Sequence, residues 1–393
     1  MERWRKIRLG DFCVTNADSY SLREEWGFVN YLDTGNITNN TIDSIQYIDI
    51  KNEKLPSRAR RKVKRNSIIY STVRPNQRHF GIIKSQPENF LVSTGFAVID
   101  VNTNVLDADF LYYLLTQDAL VEALHAIAEQ STSAYPSIKP SDLENLEIEI
   151  PDLDTQRKIA DVLSSLDRKI TQNTDVNENL LQQAQSIFTQ EFLTLDCTPD
   201  GWQESSLLGV ADYLNGLAMQ KYRPTDDEQG LPVLKIKELR QGYCDSNSEL
   251  CSPSIKPEYI VHDGDVIFSW SGSLLVDFWC GSMCGLNQHL FKVTSSKYDK
   301  WFYYAWTNHH LQKFAAIAAD MATTMGHIKR EELSKAEVLV PSQFDYDRIG
   351  GLLAPLYDLV IANRIENRKL ASLRDELLPQ LMSGQLDVSE VSL

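Results

Sequence analysis

From Pro151 to about Phe192 the apolar residues recur in steps of three and four: Ile159, Leu163, Leu166, Ile170, then Leu180, Ala184 and Ile187. That spacing predicts one long helix with an apolar seam turned towards a partner helix, the a/d pattern of a left-handed coiled coil. The seam is interrupted by Asn173 and Asn177; buried asparagines at core positions lower stability and fix register and partner. The pattern then returns 190 positions later without a gap, as Ile349, Leu353, Leu356, Val360, Asn363, Asn367, Leu370 and Leu377. The correspondence continues upstream through Ile138-Lys139 with Ile328-Lys329, Pro151 with Pro341, and Leu111-Tyr112-Tyr113 with Trp301-Phe302-Tyr303. The chain is therefore a tandem repeat of two units.

Ahead of each helix the pattern shortens to strand-like runs. In the first unit these are Trp4 to Leu9, Gly27 to Gly35, Ser67 to Val73 and Phe90 to Val101. Asp107 to Ala128 has helical spacing and predicts one amphipathic helix; Ser131 to Pro140 reads as a polar loop, and LENLEIEI (Leu143 to Ile150) as an exposed edge strand that stops at Pro151. In the second unit, GWQESSLLGV (Gly201 to Val210) echoes RWRKIRLGDF, and GDVIFSWSG (Gly264 to Gly272) echoes NSIIYSTVR (Asn66 to Arg74). Offsets there differ from 190, so insertions fall in the globular parts while the helices keep register. The expected divisions are a globular domain over 1–140, a helical region over 141–196, a second globular domain over 197–330 and a second helical region over 331–393.

A length of 393 residues suits two or three domains. The net charge of −15 argues against a protein that coats nucleic acid indiscriminately, so any DNA face must be local. There is no secretory leader and no run of membrane-spanning length, which predicts a cytoplasmic protein without a membrane partner. The six cysteines read as free thiols. Cys244, Cys251, Cys280 and Cys284 with His289 leave a zinc site open, but their spacings match no standard ribbon or finger and the first half has no equivalent, so no metal is assigned.

Against this acidic background SRARRKVKR (Ser57 to Arg65) is conspicuous, with Arg58, Arg60, Arg61, Lys62, Lys64 and Arg65. It is either a solvated surface loop or a phosphate-contacting rim. TVRPNQRHFG, just downstream, adds Arg74, Asn76, Arg78 and His79. Candidate contact residues in the second unit are Lys235, Lys237 and Arg240 in VLKIKELR, Trp270, Ser271 and Ser273, and Gln288 and His289 in GLNQHLF. Phosphate contacts position a protein on DNA, whereas base-edge contacts by Arg, Gln, Asn and His specify sequence. Retained helices with divergent loops imply two modules that dock one type of partner but read different ligands, hence an asymmetric, two-part target.

The motif P...I..VL..LD.KI..N...N..L over Pro151 to Leu180, its second copy over Pro341 to Leu370, and the ending LRDELLPQLMSGQLDV (Leu373 to Val388), with STGFAVI, RPN and NQHLF, resemble the specificity subunit of Type I restriction-modification systems over essentially residues 1 to 390. The resemblance implies an α+β fold: two globular mixed α/β target-recognition domains separated by two long antiparallel helices forming a coiled-coil spacer, with an internal two-fold pseudo-repeat. It implies that each recognition domain reads half of a bipartite double-stranded DNA target, that two methyltransferase (M) subunits dock on the repeats, and that restriction/translocase (R) subunits join them. A helix of about 38 residues, roughly 57 Å, would then hold the reading domains at least about 10 base pairs apart. Two departures stand out: Pro355 predicts a kink in the second helix, and Arg374 occupies the seam position of Ala184.

The sequence contains no G-x-x-x-x-G-K-[ST] loop and no [DNS]-P-P-[YF] tetrapeptide. No catalytic residue is assigned; S-adenosylmethionine, ATP and Mg²⁺ are expected to serve partner subunits, with no cofactor in this chain. Asp263 and Asp265 invite a nuclease reading, but their counterparts in the first half are Asn66-Ser67 and the turn is expected to be structural. The alternative function is a two-domain coiled-coil scaffold without nucleic acid, which explains the repeat but leaves the basic run and the paired polar clusters without a role.

Overall fold

The computed structural model describes residues 4–131, 135–320 and 328–391. They fall into two compact units, Met1–Arg168 with Ser372–Leu393, and Lys169–Ala371.

In the first unit, Arg5–Arg8 pairs antiparallel with Glu147–Ile150, joining the start of the chain to the approach of the first long helix. One four-stranded sheet has the order Gln46–Asp49, Phe28–Leu32, Phe90–Ser93, Ala59–Arg61, with the central pair parallel. A second, antiparallel sheet has the order Cys13–Thr15, Phe96–Val101, Ile68–Ser71, Phe80–Ile82. Strands Ile68–Ser71 and Phe90–Ser93 are buried along their whole length, which their unbroken apolar runs dictate. The main core joins Ile68, Tyr70, Phe80 and Ile99 of the antiparallel sheet to Phe110, Leu111 and Leu124 of the helices, to Ile159 and Leu163 of the first long helix, and to Leu381 and Met382 near the end of the second.

The second unit repeats this plan. Gln203–Ser206 pairs antiparallel with Glu337–Val340. Its antiparallel sheet has the order Asp212–Asn215, Leu290–Thr294, Val266–Ser269, Leu275–Phe278. Its mixed sheet has the order Leu250–Cys251, Leu231–Leu234, Cys284–Leu286, Ile260–Val261, again with a central parallel pair. The echo seen in the sequence is thus a structural equivalence: Ile68–Ser71 corresponds to Val266–Ser269, and each lies second from the edge of its antiparallel sheet.

The first long helix spans Leu153–Phe188 and the second Gln343–Met382, about 54 and 60 Å at 1.5 Å per residue. Within the second unit their pairing is antiparallel: the Asn173 amide donates to Asn367 Oδ1 at 2.8 Å and to Glu366 Oε2 at 2.6 Å, and the Asn363 amide donates to Asn177 Oδ1 at 2.9 Å. Asn173 and Asn177 are buried yet partnered, as polar core residues must be. Ile159, Leu163, Leu166, Ile349, Leu353 and Val360 are buried, whereas Ile170, Leu180, Leu356, Leu370, Leu377 and Ile187 are half-buried. At the end of the first helix Phe188, not Ile187, is buried against Trp306. A helix drifts about 20° per heptad from a strict seven-residue repeat, so about five heptads move the buried face by about one residue.

Several expectations are corrected. The helix expected over Asp107 to Ala128 is two helices, Ala108–Thr116 and Asp118–Glu129, because Gln117 between them is extended (φ −61°, ψ 137°). Leu143 ends up in a short helix, Pro140–Glu144, and only Glu147–Ile150 is strand. That strand is an edge of a two-stranded sheet, as expected, with Glu147 and Glu149 exposed and Ile148 and Ile150 in the first unit's core. The basic run is not a loop throughout: Ala59–Arg61 is an edge strand. The second long helix runs unbroken through Pro355, whose ring lies on the exposed face while Leu353 and Tyr357 on either side are buried. Arg374 is an ordered part of its seam, donating to Asp167 at 2.7 Å, with the Tyr113 hydroxyl donating to the same carboxylate at 2.6 Å. Residues 132–134 of the expected polar loop lie outside the described residues. Among the described residues no helix is long and apolar enough to cross a membrane.

Candidate nucleic-acid interface

In the first unit the turn between strands Ile68–Ser71 and Phe80–Ile82 carries Arg74, Asn76, Arg78 and His79 around a single 3-10 turn, Pro75–Gln77. Proline fixes the turn's start, and the residues flanking it, Arg74 and Arg78, take left-handed backbone at φ 48° and 56°. Arg78 is committed internally: its guanidinium meets Asp118 Oδ1 at 2.5 Å and the Thr116 carbonyl at 3.4 Å, groups that the break at Gln117 makes available. The His79 ring is held through Nδ1, 2.6 Å from the Ile37 carbonyl and 3.3 Å from the Thr38 hydroxyl. Arg74 is exposed, with its guanidinium carbon 5.4 Å from the Tyr135 ring centre and its backbone N–H donating to the Pro136 carbonyl at 2.9 Å. Asn76 is exposed beside it.

The basic run reaches the same edge through Gly95. The Thr72 N–H and hydroxyl both donate to the Gly95 carbonyl, and the Thr94 N–H donates to the Arg58 carbonyl. A side chain at residue 95 would come within 2.6 Å of Arg58 Nη2 and 2.8 Å of Thr34 Cγ2, so glycine is required for Arg58 to lie there. The six cations then divide into three groups. Lys62 is bound to Glu24 at 2.5 Å over the Trp26 ring, which raises the lysine pKa and lowers that of Glu24; Lys64 pairs with Asp100 at 3.3 Å. Arg61 is half-buried against Ser19, and Arg60 is half-buried with its carbonyl accepting the Tyr20 N–H. Arg58, Arg65 and Arg74 are exposed, and among the described residues none of them is in a salt bridge.

In the second unit the corresponding turn, 270–274, brings four candidates together. Ser271 is buried with Oγ 3.1 Å from His289 Nδ1, Gln288 Nε2 lies 3.3 Å from His289 Nε2, and the Trp270 ring is 6.1 Å from that of His289. The Trp270 indole N–H donates to Asn215 Oδ1 at 3.1 Å. Ser273 is exposed and its carbonyl accepts the Ser269 hydroxyl. The Asn287 N–H donates to the Leu234 carbonyl, so the Lys235 to Arg240 segment begins next to Gln288. Lys235 is paired with Glu249 at 2.5 Å and Lys237 with Asp245 at 3.2 Å, while Arg240 is exposed.

Asp263 and Asp265 are structural: Asp263 receives a two-pronged contact from Arg368 (2.7 and 2.8 Å), which lowers its pKa, and Asp265 pairs with Lys292 at 2.7 Å. Arg364 bonds Asp277 at 2.6 Å one turn earlier on the same helix. These two arginines fasten the second globular part to the helix, and the sequence reading missed them; their i, i+4 spacing beside the seam was the available signal. Tyr135, whose ring centre lies 5.4 Å from the Arg74 guanidinium carbon, was likewise missed. All six cysteines are free; Cys280 lies against the Ile361 carbonyl, and His289 belongs to the Ser271 cluster. Among the described residues no three His, Cys, Asp or Glu are grouped to hold a metal.

The family described as Type I restriction modification DNA specificity domain matches residues 1–182 and again 199–373. The Type I restriction enzyme HindI specificity subunit of Haemophilus influenzae is 21% identical over 462 residues, covering 98% of this chain and 100% of its own. The MjaIX specificity subunit of Methanocaldococcus jannaschii is 23% identical over 419 residues, covering 98% and 94%. The crystal structure of the Type I restriction-modification S subunit from M. genitalium superposes with a TM-score of 0.59 at 14% identity, covering 97% of this chain and 96% of that one.

Proposed function

The chain belongs to the Type I restriction-modification DNA specificity family, and from that membership we propose that each of its globular parts reads one half of an asymmetric double-stranded target. The observation that carries the reading is the contrast between the two equivalent turns. Both follow the second strand from the edge of the same sheet, and both are fastened by the same bond, from the Ile138 N–H to the Thr72 carbonyl at 2.8 Å and from the Ile328 N–H to the Trp270 carbonyl at 3.2 Å. One turn presents Arg74 and Asn76, whereas the other sets Trp270 and Ser271 beside the Gln288-His289 pair. An identical mount with different polar groups is what a module needs when its docking is fixed and its base contacts vary.

On this reading Arg58, Arg60, Arg65, Arg74 and Asn76 form the first contact surface, and Arg240, Trp270, Ser273, Gln288 and His289 the second. Lys62, Lys64, Arg78, Lys235 and Lys237 shape these surfaces through their internal ion pairs. The paired long helices set the unread gap and dock two methyltransferase subunits, which restriction/translocase subunits join. This chain supplies no catalysis; S-adenosylmethionine, ATP and Mg²⁺ act on the partner subunits. A scaffold without nucleic acid is disfavoured by two exposed polar turns at matching places. Gel-shift measurements with the purified complex at 50 and 200 mM salt test the reading: sequence-selective binding that weakens steeply with salt is expected, and binding to the methyltransferase partner with no DNA retention at either salt would reject it.

A further inference from the structure

We propose that Arg74, placed over the Tyr135 ring, contacts a guanine in the first half-site and is the base-reading residue of the first unit's turn; this rests on the function proposed above. Three features together single it out from Arg78, which shares the left-handed backbone. A non-glycine residue at φ 48°, ψ 68° is strained by about 1 to 3 kcal/mol and persists where surrounding structure enforces it, most often at functional sites. The equivalent position in the second unit is Gly272, at φ 64°, so the same turn is built there without strain and without a side chain. The first unit thus carries an arginine where its own repeat shows that glycine suffices.

The second feature is preorganisation. The Tyr135 ring lies 5.4 Å from the guanidinium carbon, and the adjacent Pro136 carbonyl holds the Arg74 N–H. An aromatic ring against a guanidinium restricts the plane while leaving the N–H edge available, and that fork matches the O6 and N7 acceptors of guanine. A phosphate also accepts that fork, and 7-deazaguanine, which lacks only the N7 acceptor, separates the two. The third feature is availability: Arg78, four residues on, is occupied by Asp118 and Thr116, whereas Arg74 is exposed and is in no salt bridge among the described residues.

The test uses the full chain assembled with its methyltransferase, scored by methylation of a plasmid library randomised across both half-sites. Arg74→Gly is the informative variant, because it deletes the side chain and gives the turn the residue used at Gly272; its thermal stability should equal or exceed that of the native chain. Arg74→Gly and Arg74→Lys should lose discrimination at one G·C pair of one half-site by roughly 5- to 150-fold, with the other half-site unchanged. Replacing that guanine by 7-deazaguanine should weaken methylation by the native complex and leave Arg74→Gly indifferent. Unaltered discrimination in the glycine variant, a loss spread evenly over all positions, or a native complex indifferent to 7-deazaguanine would overturn the assignment. A native complex with no sequence preference at all would instead refute the underlying function.

Discussion

Arg368 is the residue whose removal gives the best-defined energetic consequence. Its guanidinium grips both oxygens of Asp263 at 2.7 and 2.8 Å and also donates to the Cys280 carbonyl at 2.5 Å, with the two side chains 30% and 28% exposed. Arg368→Met keeps much of the aliphatic stem but leaves Asp263 with the Ser282 N–H as its remaining donor and removes the donor to Cys280. Hydrogen bonds to charged groups contribute about 1.5 to 3 kcal/mol, and breaking a buried pair costs about 3 to 5. Partial exposure places this pair between an exposed and a buried one, so a loss of about 2 kcal/mol is expected. Tryptophan fluorescence during urea unfolding is a suitable assay, because five of the seven tryptophans (Trp202, Trp270, Trp279, Trp301, Trp306) lie in the second unit. A cycle with Asp263→Asn should return a coupling of about 1 to 2 kcal/mol; a value under about 0.5, the ordinary error of additivity, would show that the contact does not hold the second globular part to its helix. The sign with pH follows from the lowered Asp263 pKa: the stabilisation is full above the ordinary carboxylate range near 4 and is lost as pH falls through the depressed value, so the native chain should approach the variant in strong acid.

Inserting four residues at equivalent places in both long helices should lengthen the unread gap of the methylated motif without changing its letters, and an active variant with the original gap would refute the spacer role. A fragment of residues 1–196 should form a homodimer by light scattering and direct methylation to an inverted repeat of the first half-site. Its coil is expected to be weaker than the native pairing, because Val176 stands where Glu366 receives Asn173, and a soluble monomer would refute self-complementarity. Under limiting iodoacetamide at pH 8, mass spectrometry should find the exposed Cys197 modified well before Cys13, whose thiol is pushed up to about 11 by burial and by Glu144 and Asp100; equal rates would contradict the burial of Cys13.

The helices and the repeat were legible because a heptad pattern is local and its second copy kept register over Ile159 to Leu180. The strand echoes were legible for the same reason at Ile68–Ser71 and Val266–Ser269. What escaped the sequence depends on distant partners. Whether a cation is available or occupied is decided by residues far away in the chain: Asp118 for Arg78, Glu24 for Lys62, Asp100 for Lys64, Glu249 for Lys235. Composition grouped these with Arg58 and Arg74, which among the described residues are in no such pair. The break at Gln117 also escaped, because Asp107 to Ala128 satisfies helical periodicity on both sides of it. Pro355 does not end the second helix, because a proline on the exposed face loses one hydrogen bond while Leu353 and Tyr357 keep the helix seated.

The central claim is that this chain alone decides where its complex modifies DNA, through two different half-sites. Single-molecule sequencing of methylated genomic DNA, from cells expressing the chain with its methyltransferase and from cells lacking only the chain, tests it most directly. The account predicts one asymmetric motif of two specific segments around an unread gap, fully methylated with the chain and absent without it; a continuous or palindromic motif, or methylation that persists unchanged when the chain is removed, would contradict it.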